Sequence, residues 1–158
     1  RMYLSYMLSR KRFADLYVLA QRVLIAQGAY PNVRPFVGRR TLAKLTESYN
    51  LALVTGSTKQ EARFVLREAN LLNLFANKFI LTADHPAGRK AGGAAFRFLK
   101  KINNGRVVVI GDSAIDWKGA QRAGLPYVVV EKAKNLRTQR ENLAKAIKAA
   151  LVKVSRQL

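Results

Sequence analysis

The chain has 158 residues, a length typical of one domain that can bury a core of its own. It contains no cysteine and only one histidine, so disulfide frameworks, thiolate metal sites and imidazole clusters are excluded. Hydrophobic residues make up 49% of the chain, as in a folded protein. No apolar run approaches the roughly 20 residues that a membrane span requires, and we expect no membrane partner.

The charge of the chain is its most unusual property. It has 29 basic and 9 acidic residues and a net charge of +20, whereas about 2–8 charges keep a small domain soluble. The excess is +7 in residues 1–54, +7 in residues 55–110 and +6 in residues 111–158, so it is not confined to a tail. Such a charge repels itself in the folded state and indicates a polyanionic partner. A protein that is merely basic is the alternative.

The first third of the chain predicts a strand and a helix. Residues 2–8 form an almost uninterrupted apolar and aromatic run, which predicts a short buried strand. Apolar side chains recur every three or four positions over residues 13–24, which predicts an amphipathic helix that stops at Gly28. Two prolines then indicate a loop over residues 31–35.

The rest of the chain alternates short apolar strands with helices. The strands are predicted at residues 51–54, 79–82, 107–110 and 127–130. The helices are predicted at residues 37–49, 61–70, 94–101, 117–123 and 136–151. This order is typical of βαβ units with a parallel sheet, so we expect a single α/β domain. Its parts would be a strand and helix or remnant cap at residues 1–30, a core at residues 31–131 and a basic helix at residues 132–158.

Ligands of parallel sheets gather at the carboxyl ends of the strands, so the residues that follow each strand are the candidate site. Thr55, Gly56 and Ser57 follow the first of these strands and offer hydroxyls and backbone amides to a phosphate. Lys90 lies beyond the second strand and can neutralise the charge of that phosphate. Thr55 could instead cap the helix that follows it.

Two acids follow the most strand-like segment of the chain. Asp112 and Asp116 are four residues apart, and such a pair of carboxylates can hold Mg²⁺, a hard cation that prefers oxygen ligands. Asp112 could instead cap the next helix. With the hydroxyl and the lysine, the two acids predict a phosphoryl-transfer site.

These loops and their order resemble the haloacid dehalogenase (HAD) superfamily of phosphatases and related hydrolases. The resemblance covers residues 31–131, and its motifs are LALVTGS at residues 51–57, Lys90 six residues before Phe96, and the most specific one, VVVIGDSAID at residues 107–116, with Gly119-Ala120 and Ala123-Gly124 after it. It implies a Rossmann-like three-layer α/β/α sandwich with a parallel sheet. By the same resemblance, Thr55 and Lys90 are catalytic, Thr55, Gly56, Ser57 and Lys90 bind phosphate, and Asp112 and Asp116 hold Mg²⁺.

The chain departs from this family at the nucleophile. The family attacks phosphorus with an aspartate of an Asp-x-Asp arrangement on its first strand, and this chain has no acid before Asp15, which lies on the polar side of a predicted helix. If residues 2–8 are that strand, Ser5 and Met7 stand near the aspartate positions, and Met7 can neither attack nor bind a hard cation. Prolines and an acid usually follow the family's lysine, whereas Ala91-Gly92-Gly93-Ala94 stands here.

Two explanations stay open. In the first, the protein kept the fold and part of the phosphate pocket but lost turnover. In the second, the aspartate strand lies upstream of Arg1, and residues 3–28 are a helical cap. Because removing a central strand would expose unpaired backbone on both neighbouring strands, a stable domain without it would need another segment in its place, and we favour the first explanation. A phosphatase of small metabolites would also gain little from charge spread over the whole chain.

We therefore expect a non-catalytic, RNA-contacting structural component of a large ribonucleoprotein, surrounded by neighbouring proteins, with an organellar ribosome in the mitochondrial matrix as the leading candidate. The candidate contacts to the RNA backbone are Arg10, Lys11, Arg12, Arg39, Arg40, Lys100, Lys101, Lys132, Lys134, Arg137, Arg140, Lys145 and Lys148. The alternative is a Mg²⁺-dependent phosphatase that acts on a small phosphoester with an aspartate from upstream. A protein-binding module on the same fold is a third possibility.

Overall fold

A computed structural model describes residues 37–87, 90 and 92–156 of the chain. The strand predicted at residues 2–8, the helix predicted at residues 13–24 and the loop predicted at residues 31–35 lie outside these residues. The cation cluster Arg10, Lys11 and Arg12 lies outside them too.

Helices and strands alternate along the described part of the chain. In chain order they are α1 (Arg39–Thr46), β1 (Leu53–Val54), α2 (Lys59–Glu68), two 3-10 turns (Leu72–Leu74 and Asn77–Phe79), β2 (Ile80–Leu81), α3 (Ala94–Ile102), β3 (Val109–Gly111), α4 (Ala114–Arg122), β4 (Tyr127–Val129) and α5 (Leu136–Ser155). The predicted order of elements over these residues is confirmed, and so is the α/β class.

Most element boundaries differ from the predicted ones by one to four residues, and two of these differences have clear local causes. Helix α4 begins at Ala114, three residues before the predicted start, because Ser113 caps it from the residue directly before. Phe79 was predicted to begin a strand, but it belongs to a 3-10 turn, and β2 starts at Ile80.

The strands form two parallel pairs. In the first, Leu53 of β1 is opposite Ile80 of β2, and in the second, Val109 of β3 is opposite Tyr127 of β4. Among the described residues these pairs are two separate two-stranded sheets. One continuous sheet in a three-layer sandwich stays a prediction.

The two sheets share a hydrophobic core. Phe96 of α3 is 2% exposed and packs with Val109 of β3 and Ala120 of α4, and Val54 of β1 lies against the same cluster. Leu81 of β2, which is 1% exposed, belongs to a second cluster that Val54 also contacts. The two strand pairs are therefore held by common packing, although no strand hydrogen bonds join them in the described part of the chain.

Helix α5 covers the second sheet. Ala146 and Ala150 are buried on its inner side against Val128 and Val130, at the end of the sheet's second strand. In the regions that the structure describes, none of the helices combines the length and apolar character needed for a membrane span.

Candidate phosphate- and magnesium-binding site

The two predicted magnesium-side acids lie at the junction of β3 and α4, Asp112 in the turn between them and Asp116 in the first turn of α4. Ser113 is the N-cap of α4, and its hydroxyl accepts a hydrogen bond from the Asp116 amide at 3.2 Å and donates one to Asp116 Oδ2 at 2.7 Å. The suggestion that Asp112 caps this helix is therefore wrong. Since Asp116 lies in the first turn of α4, the helix dipole also stabilises its negative charge.

Lys90 and Asp116 meet, although one lies in the loop before α3 and the other in the first turn of α4. Lys90 Nζ lies 2.7 Å from Asp116 Oδ1, and the two side chains are 25% and 10% exposed. Two glycines leave the space for this contact. A Cβ on Gly111 would lie 2.8 Å from Asp116 Cβ, and a Cβ on Gly119 would overlap the Lys90 carbonyl oxygen and lie 2.6 Å from Phe96 Cε2. An alanine at position 111 or 119 would therefore place its methyl group too close to neighbouring atoms for the backbone to keep this arrangement.

Asp112 occupies the outer side of the same turn. Its side chain is 52% exposed, and Lys132 Nζ lies 3.6 Å from its Oδ2. The Tyr127 hydroxyl lies next to the turn and donates to the Ser113 carbonyl at 3.4 Å. Burial raises the pKa of Tyr127, and the negative charges of Asp116 and Asp112 raise that pKa further. The two carboxylates therefore lie close enough to act on the Tyr127 hydroxyl, while Lys90 and Lys132 compensate their charge.

Thr55 directly follows β1, as predicted. Its Oγ1 accepts a hydrogen bond from the Ser57 amide at 3.1 Å, whereas the N-cap of α2 is Thr58, whose hydroxyl accepts from the Glu61 amide at 3.3 Å. The alternative that Thr55 caps the helix is therefore wrong. Within the described residues, the Thr55 hydroxyl has no acceptor of its own, which leaves its proton for an anion.

Asp84 is a residue that the sequence interpretation missed. Its Oδ1 accepts from the Thr82 hydroxyl at 2.6 Å and from the Lys59 amide at 3.0 Å, so it ties the end of β2 to the start of α2. The Thr82 hydrogen bond is the main reason that the pKa of Asp84 is below its usual range. The Ala83 amide also donates to the Ser57 carbonyl at 2.9 Å, which fixes the loop of Thr55, Gly56 and Ser57. The sequence signal that could have identified Asp84 is its spacing of two residues from Thr82, directly after a strand.

A groove of about 880 Å³ lies between the two sheets. It is lined by residues of β1 and β3, and at the carboxyl end of β3 by Lys90, Asp112 and Asp116. The structure thus brings these three predicted residues together at one groove. Thr55 follows the lining residue Val54 but is not itself part of the lining.

The two acids fit the Mg²⁺ that the resemblance implies. Proteins commonly bind this ion through one or two carboxylates, with water and substrate oxygens as the other ligands. Asp112 and Asp116 supply two carboxylates, one in the turn after β3 and one in the first turn of α4, and in this structure each pairs with a lysine. Over residues 37–87, 90 and 92–156, no group of three or more acidic, histidine or cysteine side chains could hold a metal ion. Asp112 and Asp116 would therefore hold Mg²⁺ together with water and phosphate oxygens.

The predicted RNA-contacting cations fall into two groups. Lys100 donates to the Ala123 and Gly124 carbonyls at 3.2 and 3.3 Å, and Arg39 donates to Asn73 Oδ1 at 2.7 Å and to the Asn70 carbonyl, so both are engaged inside the fold. The exposed group consists of Arg40, Lys101, Lys132, Lys134, Arg137, Arg140, Lys145 and Lys148.

Comparison with known proteins gives one result. A family model described as haloacid dehalogenase-like hydrolase matches residues 13–130, about three quarters of the chain. No curated protein matches the chain. The matched range contains Thr55, Lys90, Asp112 and Asp116, the residues that the resemblance assigned to the site. The chain belongs to the haloacid dehalogenase-like hydrolase family.

Proposed function

We propose that this chain is a non-hydrolytic, RNA-contacting member of its family and a structural component of a large ribonucleoprotein. A mitochondrial ribosome is the leading candidate, and neighbouring proteins of that particle are its other partners. The observation that carries the proposal is the uncompensated positive surface of helix α5.

Helix α5 has an apolar face that packs against the second sheet and a basic face that is exposed. Its 20 residues correspond to about 30 Å of helix, with Ala146 and Ala150 buried against the second sheet. Arg140, Lys145 and Lys148 are exposed, and no carboxylate of the described residues lies within ion-pair distance of them. Duplex nucleic acid carries about one charge per 1.7 Å of axis, so this length of surface can contact several phosphates. Such contacts recognise the backbone rather than the base sequence.

Lysine acetylation with and without duplex RNA tests this surface. We expect RNA to protect Lys145 and Lys148 from the reagent and to leave Lys44 and Lys78 equally reactive in both samples. The latter two are exposed lysines on other elements and serve as matched controls. The proposal would be contradicted if RNA protected all four lysines equally or protected none of them.

A Mg²⁺-dependent phosphohydrolase is the second candidate, favoured by the 2.7 Å contact between Lys90 and Asp116. In this function the Thr55 hydroxyl and the Lys90 ammonium would hold phosphoryl oxygens. Asp112 and Asp116 would hold Mg²⁺, which neutralises charge on the phosphate. The attacking carboxylate would belong to an aspartate strand upstream of Arg1.

Phosphate release from p-nitrophenyl phosphate, measured with and without Mg²⁺ on the natural full-length protein, separates the two candidates. Under the RNA-contacting function, the full-length protein and its Asp112→Asn variant release phosphate at the same background rate. Metal-dependent release that Asp112→Asn abolishes would replace the first proposal with the second.

A further inference from the structure

A second cavity lies away from the candidate phosphate site. It has a volume of about 510 Å³, within the range of roughly 300–1,000 Å³ that is common for small-molecule sites. Its walls come from the C-terminal end of α2 and from the segment with the two 3-10 turns before β2, whereas the phosphate-site residues follow the strands. None of Lys90, Asp112 and Asp116 is among the described residues that line it. The cavity is therefore a separate candidate site.

Asparagine carboxamides supply polar groups of this cavity, and two arginines fix their orientation. Arg39 donates to Asn73 Oδ1 at 2.7 Å, and Arg63 donates to Asn77 Oδ1 at 2.7 Å. An asparagine whose oxygen accepts from an arginine keeps its NH₂ group as a donor for another partner. Within the described residues, neither NH₂ group has an acceptor. Asn73 and Asn77 thus bring NH₂ donors without protein acceptors to the wall of one cavity.

The rest of the wall combines a positive charge with apolar surface. Arg67 lies in the last turn of α2, is exposed, and its guanidinium forms no hydrogen bond or ion pair with any described residue. Phe75 is partly buried against the core cluster around Leu42 and also lines the cavity. No acidic residue of the described part lines it. The cavity therefore suits a ligand that carries negative charge, an apolar ring and hydrogen-bond acceptors.

We propose that this cavity binds an unpaired guanine nucleotide of RNA. Guanine has two neighbouring acceptors, N7 and O6, on one edge, whereas adenine has an NH₂ donor beside its N7. The usual contact of an asparagine with adenine uses the carboxamide oxygen as an acceptor, and here both oxygens already accept from arginines. The Phe75 ring can stack on an unpaired base, and Arg67 can neutralise the phosphate.

The inference rests on the proposed RNA-contacting function only for the source of the nucleotide. Helix α5 would contact the phosphates of paired RNA, whereas the cavity would hold one unpaired base. A blunt RNA duplex has no unpaired base and should leave the cavity empty. Lys78, next to Asn77 in the chain, therefore stays a valid control in the acetylation experiment with duplex RNA.

Binding of 5′-GMP and 5′-AMP to the full chain tests the cavity directly. The two mononucleotides have the same charge, so their general attraction to a chain of net charge +20 cancels in the comparison. We expect 5′-GMP to bind about tenfold more tightly than 5′-AMP in isothermal titration calorimetry. Equal affinities, or a preference for 5′-AMP, would overturn the proposal.

Asparagine-to-aspartate variants test whether the preference arises in this cavity. Asn73→Asp and Asn77→Asp keep an oxygen for the arginine but remove the NH₂ donor, so each should reduce the preference for 5′-GMP to about twofold or less. The control Asn104→Asp makes the same charge change at an exposed residue outside the cavity and should keep the preference. A preference that survives in both cavity variants, or that Asn104→Asp also removes, would overturn the assignment.

RNA hairpins test the source of the nucleotide. Two hairpins share one stem and differ only in a single loop base, guanine or adenine. We expect the natural chain to bind the guanine hairpin more tightly and Asn77→Asp to bind both equally. A preference for 5′-GMP that the hairpins do not show would overturn RNA as the source and assign the cavity to a free guanine nucleotide. Failure of the proposed function would instead show as salt-independent binding of blunt duplex RNA and would leave the mononucleotide preference unchanged.

Discussion

The Asp116 carboxylate contacts two side chains, whereas the Asp112 carboxylate contacts one exposed lysine. Ser113 and Lys90 both contact the buried Asp116 carboxylate at 2.7 Å, whereas Asp112 faces solvent opposite Lys132. Removing one partner of a buried charged pair leaves the other poorly compensated, while exposed pairs contribute little. The two acids should therefore differ in their effect on folding.

We expect Asp116→Asn to lower the free energy of unfolding by about 1–3 kcal/mol. Asp112→Asn, the matched control, should change it by less than about 0.5 kcal/mol. Urea denaturation of both variants measures the difference. Equal losses would show that the Lys90 contact does not stabilise the fold.

The Thr82–Asp84 hydrogen bond makes stability depend on pH. Because the pKa of Asp84 is lower in the folded chain, its stabilising effect is present above the unfolded pKa and is lost as pH falls through the folded pKa. We expect Thr82→Val to raise the pKa of Asp84 and to reduce the acid-dependent loss of stability, and Thr82→Ser to preserve both. NMR titration of the Asp84 carboxyl, with acid unfolding curves, tests this. An unchanged pKa in Thr82→Val would contradict it.

The residues of the site were only partly predictable from the sequence. Lys90, Asp112 and Asp116 were found because their types and order resemble a known family. The contact between Lys90 and Asp116 could not be derived, because it depends on how closely Gly119 lets the Lys90 backbone approach α4. Asp84 was missed although Thr82 lies only two residues away, because its second partner, the Lys59 amide at the start of α2, approaches it only in the folded chain.

At the scale of elements, the close approach around helix α4 is the most demanding packing feature. A Cβ on Gly119 would lie 2.6 Å from Phe96 Cε2 and overlap the Lys90 carbonyl, whereas a Cβ on Gly56 would meet nothing within 4 Å. We expect Gly119→Ala to lower stability by about 1–3 kcal/mol, and Gly56→Ala to have little effect. Thermal unfolding of both variants measures this. A Gly119→Ala variant as stable as the natural chain would contradict the packing.

Hydrophobic periodicity predicted the helices because each buries one side of its own sequence, whereas the strands were predicted from short apolar runs, as in β2, where both residues are buried. The ends of the elements were less predictable. The start of α4 depends on the Ser113 side chain, and the start of β2 depends on the 3-10 turn that ends at Phe79. The division into two parallel pairs was not predictable either, since it concerns which strands pair across the fold.

For the whole molecule, charge remains the property that most strongly favours a partner. The excess of +20 is distributed along the chain, and in the described part much of it lies on exposed side chains such as Arg140, Lys145 and Lys148. Self-repulsion of this charge falls when phosphates neutralise it, and each neutralised phosphate releases counterions. The RNA affinity should therefore depend strongly on ionic strength.

The most direct measurement is the slope of log affinity for duplex RNA against log salt concentration. We expect a steep negative slope, and the triple variant Arg140→Gln, Lys145→Gln and Lys148→Gln should make it less negative by about 2–3. The control triple Lys44→Gln, Lys59→Gln and Lys78→Gln removes the same charge elsewhere and should leave the slope nearly unchanged. A flat slope for the natural chain, or equal effects of the two triples, would contradict an RNA-contacting role for α5.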